Sequence, residues 1–255
     1  MGPALGPEVE VQGLILCGGR SQRFGSEKAL AELNGESLLS KSVGALAGWV
    51  RTPLWLGTGA GARPDLLDHA RACWSRAREG QLPASPDSSG ELVEQVRAVR
   101  DEPVGVGPLG GLHAGLSAAR SASTAEEGWL VALSCDLPAI EAEFLQELLR
   151  RTRSAGACVG LPQTPEGVHP LAAVYHLSCL PAVASSLAAG ERRLVAFHRR
   201  LGSALEGRGP AVHEWTLSPE HVARVANVNT AAEFVNWRER LASPLRPDDP
   251  ATHSP

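Results

Sequence analysis

The stretch LILCGGRSQRFGSEKALAELNG, residues 14–35, runs from an apolar strand pattern through two glycines and a basic polar loop to a lysine. The run LILC is typical of a strand that is covered on both faces. Paired glycines expose backbone N–H groups that can surround an anion, and Arg23 and Lys28 add two cations to the same loop. The stretch therefore predicts an α/β sheet with a phosphate-binding loop after its first strand.

The loop matches neither of two standard phosphate-binding glycine patterns. The dinucleotide fingerprint requires G-x-G-x-x-G, and Gly18, Gly19 and Gly25 do not have that spacing. The P-loop requires four residues between its glycines and then a lysine, whereas five residues separate Gly19 from Gly25 and Ser26 follows. On the loop alone, a strand-to-helix turn that binds no ligand is an equally good interpretation.

Short apolar runs alternate with helical patterns along the rest of the chain. Such alternation is typical of βαβ units, and it predicts a three-layer, Rossmann-like α/β fold with a mostly parallel sheet. The predicted strands are 11–17, 53–59, 96–101, 129–135, 157–162, 171–176 and 224–228. The predicted helices are 36–49, 63–73, 110–122, 141–153, 178–189, 191–201 and 230–241.

We expect one domain over residues 11–241. The ends, 1–10 and 243–255, are rich in Pro, Ser or Asp and are expected to be disordered, and 75–91 is expected to be a surface loop. The formal net charge of −4 gives no general basic field that would favour nucleic acid. No apolar run reaches the roughly 18 residues of a membrane span. The N-terminal sequence has no signal-peptide pattern.

The five cysteines are odd in number and form no C-x-x-C pair. This pattern favours reduced thiols in a cytoplasmic protein over a disulfide framework or a zinc site.

Polar segments follow three of the predicted strands, where ligands of open α/β sheets collect. CGGRSQRFG follows the first strand, DEPVGVGPLGG follows VRAVR, and CDLP follows WLVALS. Asp136 in the last segment is a candidate oxygen ligand for Mg²⁺, which takes only one or two protein carboxylates. An aspartate that merely stabilises a turn is the competing interpretation, since Asp-x-Pro is also common in turns.

Taken together, the motifs resemble the molybdopterin nucleotidyltransferases. LCGGRSQRFGSEKA is similar to that family's L-A-G-G-x-S-x-R-M-G-x-D-K-A signature, with Cys17, Phe24 and Glu27 as departures. Gly18 favours the guanylyl branch, because the cytidylyl branch has alanine there. Further similar segments follow in the family's order: GPLGGLHAGLSAA (107–119), VALSCDLPAI (131–140), HPLAAVYH (169–176), GERRLVAFHRRLG (190–202) and VANVNTAAEF (225–234).

The resemblance implies the nucleotide-diphospho-sugar transferase fold, and transfer of GMP from GTP to molybdenum-bound molybdopterin with Mg²⁺ as cofactor. Lys28, Arg23 and Asp136 would be catalytic, with Asp136 as the metal ligand. The implied nucleotide-binding residues are Leu16, Cys17, Gly18, Gly19, Lys28, Asp101, Gly110, Gly111 and Asp136. Gly110 and Gly111 would open a helix and present its first amides to phosphate.

Asp101 aligns loosely with the acid that reads guanine in the family, and Glu102 is a rival for that role. The interpretation as a plain surface acid also stays open. Arg20 is interpreted as solvated, and Glu27 receives no role.

The C-terminal half would receive the pterin. The implied pterin-binding residues are His169, Arg192, Arg193, Asn227 and Asn229. The two arginines are expected at a helix start, where adjacent residues do not share a face. The two asparagines are two residues apart and would therefore share one face of a strand. Asn229 is equally well interpreted as the cap of the final helix.

Two other functions stay open, namely cytidylyl transfer from CTP to the same acceptor and a non-catalytic protein that binds molybdopterin or nucleotide. The resemblance also implies molybdenum insertion proteins and molybdoenzyme chaperones as partners. We further expect a monomer or weak homo-oligomer and, from charge and hydropathy, no nucleic acid or membrane partner.

Overall fold

Strands and helices alternate through the part of the chain that the structure describes. The structure, a computed structural model, describes residues 9–17, 28–59, 61–79, 95–101, 105–125, 127–204 and 211–242. The strands are β1 (Val9–Leu16), β2 (Glu32–Leu33), β3 (Glu36–Ser37), β4 (Arg51–Gly57), β5 (Val96–Val99), β6 (Glu127–Ser134), β7 (Val159–Thr164), β8 (Gly167–Val168), β9 (Ala172–His176) and β10 (Val212–Thr216). The helices are α1 (Leu38–Ala47), α2 (Pro64–Arg78), α3 (Pro108–Ala122), α4 (Ala142–Ser154), α5 (Leu180–Ala188), α6 (Leu194–Ala204), α7 (Pro219–Val222) and α8 (Ala231–Ala242). Short 3₁₀ turns cover Lys28–Leu30, Leu177–Cys179 and Ala223–Val225.

The central sheet has the strand order β5-β4-β1-β6-β9-β7-β10, with β8 paired to β7. Strands β5, β4, β1 and β6 are parallel to one another, and β9 runs antiparallel to both of its neighbours. Strands β7 and β10 are again a parallel pair. Strands β2 and β3 form a separate antiparallel hairpin. The expected α/β fold with a mostly parallel sheet is thus confirmed.

The apolar side chains of the sheet separate onto two faces, each covered by helices. Along β1, Val11 and Ile15 belong to one buried cluster and Leu14 and Leu16 to the other. Helices α1, α2 and α4 pack into the first cluster, and α3, α5 and α6 into the second. Since successive residues of a strand point to opposite faces, the near-continuous apolar run LILC is what this three-layer arrangement requires.

The parallel strands end at the same level. Leu16 lies opposite Gly57 of β4 and Ser134 of β6, and Gly57 lies opposite Val99 of β5. The backbone N–H of Cys17 continues this register by donating to the carbonyl of Gly57 at 2.8 Å. The segments that follow these four strands therefore emerge side by side at one edge of the sheet.

The antiparallel direction of β9 brings part of the C-terminal half to that same edge. Ala172, the first residue of β9, lies opposite Leu133 near the end of β6. The N–H of Ser134 donates to the carbonyl of Leu171 at 2.9 Å. The connection between β8 and β9, which holds His169, thus lies beside the end of β6.

Several sequence-based expectations are wrong. The predicted strand 224–228 is a 3₁₀ turn, Ala223–Val225, followed by irregular backbone. The strand β10 was not predicted. Val9 and Glu10 belong to β1 instead of a disordered tail, and residues 75–78 belong to α2 instead of a loop. Residues 1–8, 80–94 and 243–255 lie outside the described residues.

Within the described ranges, no helix is long and apolar enough to cross a membrane. The single domain over residues 11–241 stays a prediction.

Candidate active site

The ammonium group of Lys28 contacts side chains from two distant parts of the chain. Its Nζ atom lies 2.7 Å from Oδ2 of Asp136 and donates to Oδ1 of Asn229 at 3.3 Å. The side chains of Lys28 and Asp136 are only 13% and 15% exposed, so bulk water screens their ion pair weakly. The structure thus brings together three residues that were predicted separately for catalysis, metal binding and pterin binding.

Asp136 occupies the turn that follows β6. The hydroxyl of Ser134 donates to Oδ1 of Asp136, so each of its carboxylate oxygens faces a donor. The carbonyl of Asp136 accepts from the N–H of Val228 at 3.0 Å, and the N–H of the preceding Cys135 donates to the carbonyl of Leu16 at 3.2 Å. The turn is therefore tied both to the central strand and to the segment before α8.

Asn229 lies immediately before the last helix, but its side chain does not cap it. The hydroxyl of Thr230 accepts from the N–H of Glu233 at 3.1 Å, and the carboxylate of Glu233 accepts from the N–H of Asn229 at 2.6 Å. These contacts resemble a capping box that begins at Thr230, where the three-residue spacing to Glu233 is met. The interpretation of Asn229 as the side-chain cap is wrong. Asn227 is exposed, and no strand places the two asparagines on a common face.

Asp101 lies two residues beyond the end of β5, against the first turn of α3. A Cβ atom placed on Gly111 would lie 3.3 Å from Oδ1 of Asp101 and 2.8 Å from Cδ2 of Leu16. Only a glycine therefore lets the helix approach both side chains this closely. Burial raises the pKa of the Asp101 carboxyl group. This carboxylate has lost part of its hydration and would gain from hydrogen-bond donors on a ligand.

The backbone amides of two predicted nucleotide-binding residues are used within the fold. Helix α3 begins at Pro108, so Gly110 and Gly111 lie inside its first turn and do not open it. The N–H of Gly110 donates to the carbonyl of Gly107 at 3.0 Å, and the N–H of Cys17 donates within the sheet. The expectation that Gly110 presents a free helix amide to phosphate is wrong.

His169 and the two arginines occupy loops of the C-terminal half. Nε2 of His169 lies 3.0 Å from the hydroxyl of Thr164, and burial lowers the pKa of the His169 ring. Helix α6 begins at Leu194, so Arg192 and Arg193 precede it instead of occupying its first turn. The carboxylate of Glu191 accepts from both of their backbone N–H groups, at 2.9 and 3.0 Å. The side chain of Arg193 is 85% exposed.

The loops of the two halves approach each other at Gly107. This residue precedes α3 with φ +75° and ψ −163°, a conformation that is essentially restricted to glycine. A Cβ atom placed on Gly107 would lie 3.7 Å from the carbonyl oxygen of Arg192. The loop before the predicted nucleotide helix therefore meets the loop that holds the predicted pterin-binding arginines.

A family model for the MobA-like NTP transferase domain matches residues 13–204, which include the second half of strand β1, Lys28, Asp136 and the arginine loop. The chain belongs to the MobA-like NTP transferase family. It is accordingly a nucleotidyltransferase by descent, and the resemblance noted in its motifs is confirmed.

Relatives of known name support this family assignment. A probable molybdenum cofactor guanylyltransferase of Opitutus terrae is 34% identical over 231 residues, which cover 90% of this chain and 96% of the relative. A molybdenum cofactor guanylyltransferase of Yersinia pseudotuberculosis is 29% identical over 188 residues, covering 73% of this chain and 79% of the relative.

Solved structures share the fold at low identity. The molybdopterin-guanine dinucleotide biosynthesis protein A of Archaeoglobus fulgidus superposes with a TM-score of 0.61 at 18% identity, covering 91% of this chain and 98% of that one. The 4-diphosphocytidyl-2C-methyl-D-erythritol synthase of Anaerococcus prevotii gives a TM-score of 0.57 at 11% identity, covering 92% and 96%. Both solved structures thus share the fold of this chain.

Several predicted residues of this family member lie outside the described residues, and other functional candidates were missed. Gly18, Gly19, Arg23 and Glu102 fall outside them, as do Arg20, Gly25 and Glu27. The missed residues are Ser134, Gly107 and Glu191. Ser134 had a detectable signal, because residues two apart in an extended segment share a face, and Asp136 follows it by two.

The residues around Lys28 fit a Mg²⁺ ion that arrives with a nucleotide. Within the described part of the chain, no group of three or more His, Cys, Asp and Glu side chains could hold a metal ion. Asp136 nonetheless presents a hard carboxylate oxygen, Oδ2, to one cation, the Lys28 ammonium group. Mg²⁺ prefers such oxygens and commonly completes its coordination with substrate phosphates and water.

Proposed function

We propose that the protein transfers GMP from GTP to molybdenum-bound molybdopterin, releasing pyrophosphate and forming a molybdopterin guanine dinucleotide. The observation that carries this proposal is the weakly exposed Lys28–Asp136 pair at the end of the central parallel strands. The pair combines a cation for phosphate with a carboxylate for Mg²⁺ at the sheet edge where ligands bind. The names of the relatives support the choice of acceptor and nucleotide.

The reaction is a displacement at the α-phosphorus of GTP. An oxygen of the acceptor's terminal phosphate forms the new bond to phosphorus, and the bond from that phosphorus to pyrophosphate breaks. Because the attacking phosphate is already anionic, the reaction needs no protein base. Positioning and charge neutralisation are the main requirements, as in other phosphoryl-group transfers.

Lys28 and Asp136 would meet these requirements. Mg²⁺, when bound, supplies positive charge that neutralises the triphosphate, and Asp136 would hold it. The Lys28 ammonium group would bind phosphate oxygens and stabilise the charge that develops on the leaving pyrophosphate. Arg23 is proposed to assist from the same loop, although it lies outside the described residues.

Asp101 is the proposed reader of the base. A carboxylate can accept hydrogen bonds from both N1–H and the exocyclic amine of guanine, whereas it would repel the carbonyl oxygen of cytosine. The half-buried position of Asp101 beside Gly111 gives such hydrogen bonds more weight than they have in water. On the acceptor side, His169, Arg192, Arg193 and Asn227 stay the proposed pterin contacts.

The proposal is tested by supplying purified protein with molybdenum-loaded molybdopterin, Mg²⁺ and GTP labelled at the α-phosphate. We expect the label to enter the pterin dinucleotide in step with pyrophosphate release. The Asp136→Ala variant should form no product while keeping the circular dichroism of the wild type. Competition among GTP, CTP and ATP for binding in the presence of Mg²⁺ should place GTP first.

Two outcomes would overturn the proposal. Use of CTP in place of GTP would make the protein a cytidylyltransferase. Tight pterin binding with no product from any nucleotide would make it a non-catalytic binding protein. The cytoplasm, the additional protein partners and the monomer or weak homo-oligomer stay predictions.

A further inference from the structure

We propose that Asn229 is a positioning residue for Lys28, holding its ammonium group where the phosphates of the nucleotide bind. The family resemblance assigned Asn229 to the pterin, and its position before the last helix suggested a cap, but its side chain contacts Lys28, 201 residues away along the chain. The inference rests on the proposed function only in requiring that the ligand is a nucleoside triphosphate.

The backbone around Asn229 is fixed by contacts on both sides. Before it, Val228 is fully buried, and its N–H donates to the carbonyl of Asp136 at 3.0 Å. At Asn229 itself, the N–H donates to the carboxylate of Glu233, whose own N–H donates to Thr230. These contacts leave the Asn229 side chain directed at Lys28, with Oδ1 3.3 Å from Nζ. The amide is thus pre-positioned by structure that includes no part of the proposed pterin contacts.

The two partners of Lys28 differ in charge, and this difference gives Asn229 its role. An ammonium group has three donors, of which Asp136 and Asn229 take two. A triphosphate competes electrostatically with the Asp136 carboxylate for the ammonium group, and a metal ion on Oδ2 of Asp136 would displace the ammonium group from that oxygen. The amide of Asn229 is neutral, so it neither repels the triphosphate nor attracts the metal ion as a carboxylate does. Lys28 therefore keeps its bond to Asn229 while its other donors turn from Asp136 to phosphate.

The first experiment measures GTP affinity by calorimetry, with EDTA present and without pterin. Under these conditions neither metal coordination nor the acceptor can contribute to the effect of a substitution. Asn229→Ala should weaken GTP binding roughly 10-fold, the lower range for a lost hydrogen bond to a charged group. Asn236→Ala, at an exposed asparagine of α8, is the matched control and should bind GTP as the wild type does.

An aspartate at the same position gives a second, independent readout. Asn229→Asp keeps the size and the oxygen acceptor but adds a negative charge that competes with the triphosphate for Lys28. We expect it to weaken GTP binding more than Asn229→Ala does, after subtraction of the effect of Asn236→Asp. A merely structural role predicts the opposite order, since aspartate is the closer match in shape.

A double-mutant cycle with Lys28→Met decides whether Asn229 acts through Lys28. In the Lys28→Met background, the effect of Asn229→Ala on GTP affinity should shrink to less than about 2-fold, the usual limit for independent sites. A full effect in that background would overturn the proposal, and so would unchanged GTP binding in Asn229→Ala itself.

Failure of this inference is distinguishable from failure of the proposed function. If wild type binds CTP instead of GTP, the base assignment fails, and the same cycle is carried out with CTP. If the wild type binds no nucleoside triphosphate, the proposed function and the positioning role of Asn229 are both wrong. If wild type binds GTP and the Asn229 variants match their Asn236 controls, only the positioning role is wrong.

Discussion

The thiol of Cys158, just before β7, is expected to be unusually reactive because of its neighbour Cys179. The side chain of Cys179, whose thiol donates to the backbone carbonyl of Cys158 at 3.4 Å, lowers the pKa of the Cys158 thiol to about 7, below that of an ordinary cysteine. Because the thiolate is the nucleophile, alkylation of Cys158 should rise steeply through neutral pH. Peptide mass spectrometry after iodoacetamide treatment between pH 6 and pH 9 would measure this dependence.

Cys73 provides the internal control for that experiment. It is 4% exposed, and burial raises the pKa of its thiol. It should remain unmodified while Cys158 reacts. Equal labelling of both cysteines in the folded protein, or a Cys158 rate that rises only above pH 8.5, would contradict the prediction.

Ser134 should matter for turnover although it touches no substrate in the proposed reaction. Its hydroxyl holds Oδ1 of Asp136, which leaves Oδ2 as the oxygen on which Lys28 and a metal ion would compete. We expect Ser134→Ala to lower kcat roughly 10-fold, because the Asp136 carboxylate loses one charge-assisted hydrogen bond. Steady-state kinetics with varied Mg²⁺ would measure the loss.

Ser42→Ala is the matched control for Ser134→Ala. Ser42 is also buried, but its hydroxyl donates to the backbone carbonyls of Leu38 and Ser134 and does not contact Asp136. It should change stability without changing the Mg²⁺ dependence of kcat. The same kinetic loss in both variants would show that packing, not the Asp136 contact, is responsible.

Individual site residues were predictable where their chemistry is local to a motif. Lys28 follows a glycine-rich segment and Asp136 lies just after a strand, so each was identifiable as a candidate from its neighbours. The contact between Lys28 and Asn229 was not predictable, because it depends on how segments 201 residues apart meet in space. The alternative that Asn229 caps the last helix named the wrong residue, because asparagine is a common cap but the hydroxyl of Thr230 makes the contact.

At the scale of elements, α3 packs closely on β1 because of its glycines. A Cβ atom on Gly115 would lie 2.4 Å from Cδ2 of Leu14, whose side chain is fully buried. Gly115→Ala should therefore lower the free energy of unfolding by about 1–3 kcal/mol, the usual cost of overpacking a core. Urea unfolding followed by circular dichroism would measure it.

A glycine in another helix, Gly44, is expected to have the opposite effect on stability in the same urea unfolding assay. Gly44 lies in α1, is exposed, and would have no atom within 4 Å of an added Cβ. Gly44→Ala should raise the free energy of unfolding by up to about 1 kcal/mol through helix propensity alone. If both variants change stability in the same direction, close packing of α3 is not the reason for Gly115.

Strands were predictable from the sequence where both of their faces are buried. The run LILC in β1 is covered on two sides, so its pattern is nearly continuous and easily recognised. The strand β10 lies at the edge of the sheet and is only partly buried, with exposed Glu214 and Thr216. Its polar residues leave too few apolar positions for the strand to be recognised from the sequence. Residues 224–228 carry a stronger apolar pattern, but their valines pack from a 3₁₀ turn and irregular backbone.

For the whole molecule, buried histidines should make stability fall in mild acid. Burial lowers the pKa of His198 from 6.5 to about 4, and it also lowers the pKa of His69, His169 and His176. The unfolded chain binds protons below pH 6.5, whereas the folded His198 stays neutral until about pH 4, so stability is lost as pH falls through that window. His198 alone should cost about 2 kcal/mol at pH 5.

Urea unfolding at pH 7.5 and pH 5 tests this dependence. Nε2 of His198 lies 3.0 Å from the Tyr175 hydroxyl, so His198→Phe will change stability at both pH values. The informative quantity is the difference between the free energies of unfolding measured at the two pH values. It should shrink by about 2 kcal/mol in the variant, and an unchanged difference would rule out His198 as the main titrating group.

The continuity of the sheet predicts a single unfolding transition for residues 11–241. Strand β9 joins β6 of the N-terminal half to β7 of the C-terminal half by hydrogen bonds on both of its edges. We expect tryptophan fluorescence and far-ultraviolet circular dichroism to give coincident transitions in urea, as in a two-state domain. Two separated transitions would indicate that the halves are independent domains.

The reversed direction of β9 also bears on how a protein of this topology can diversify. Its hairpin loop, around His169, opens at the edge beside Asp136, while the proposed nucleotide site lies at the ends of β1, β4, β5 and β6. Surface loops tolerate insertion and replacement far better than the strands that support them. Under the proposed function, a new acceptor can therefore be acquired by exchanging one hairpin loop, with the nucleotide chemistry left intact.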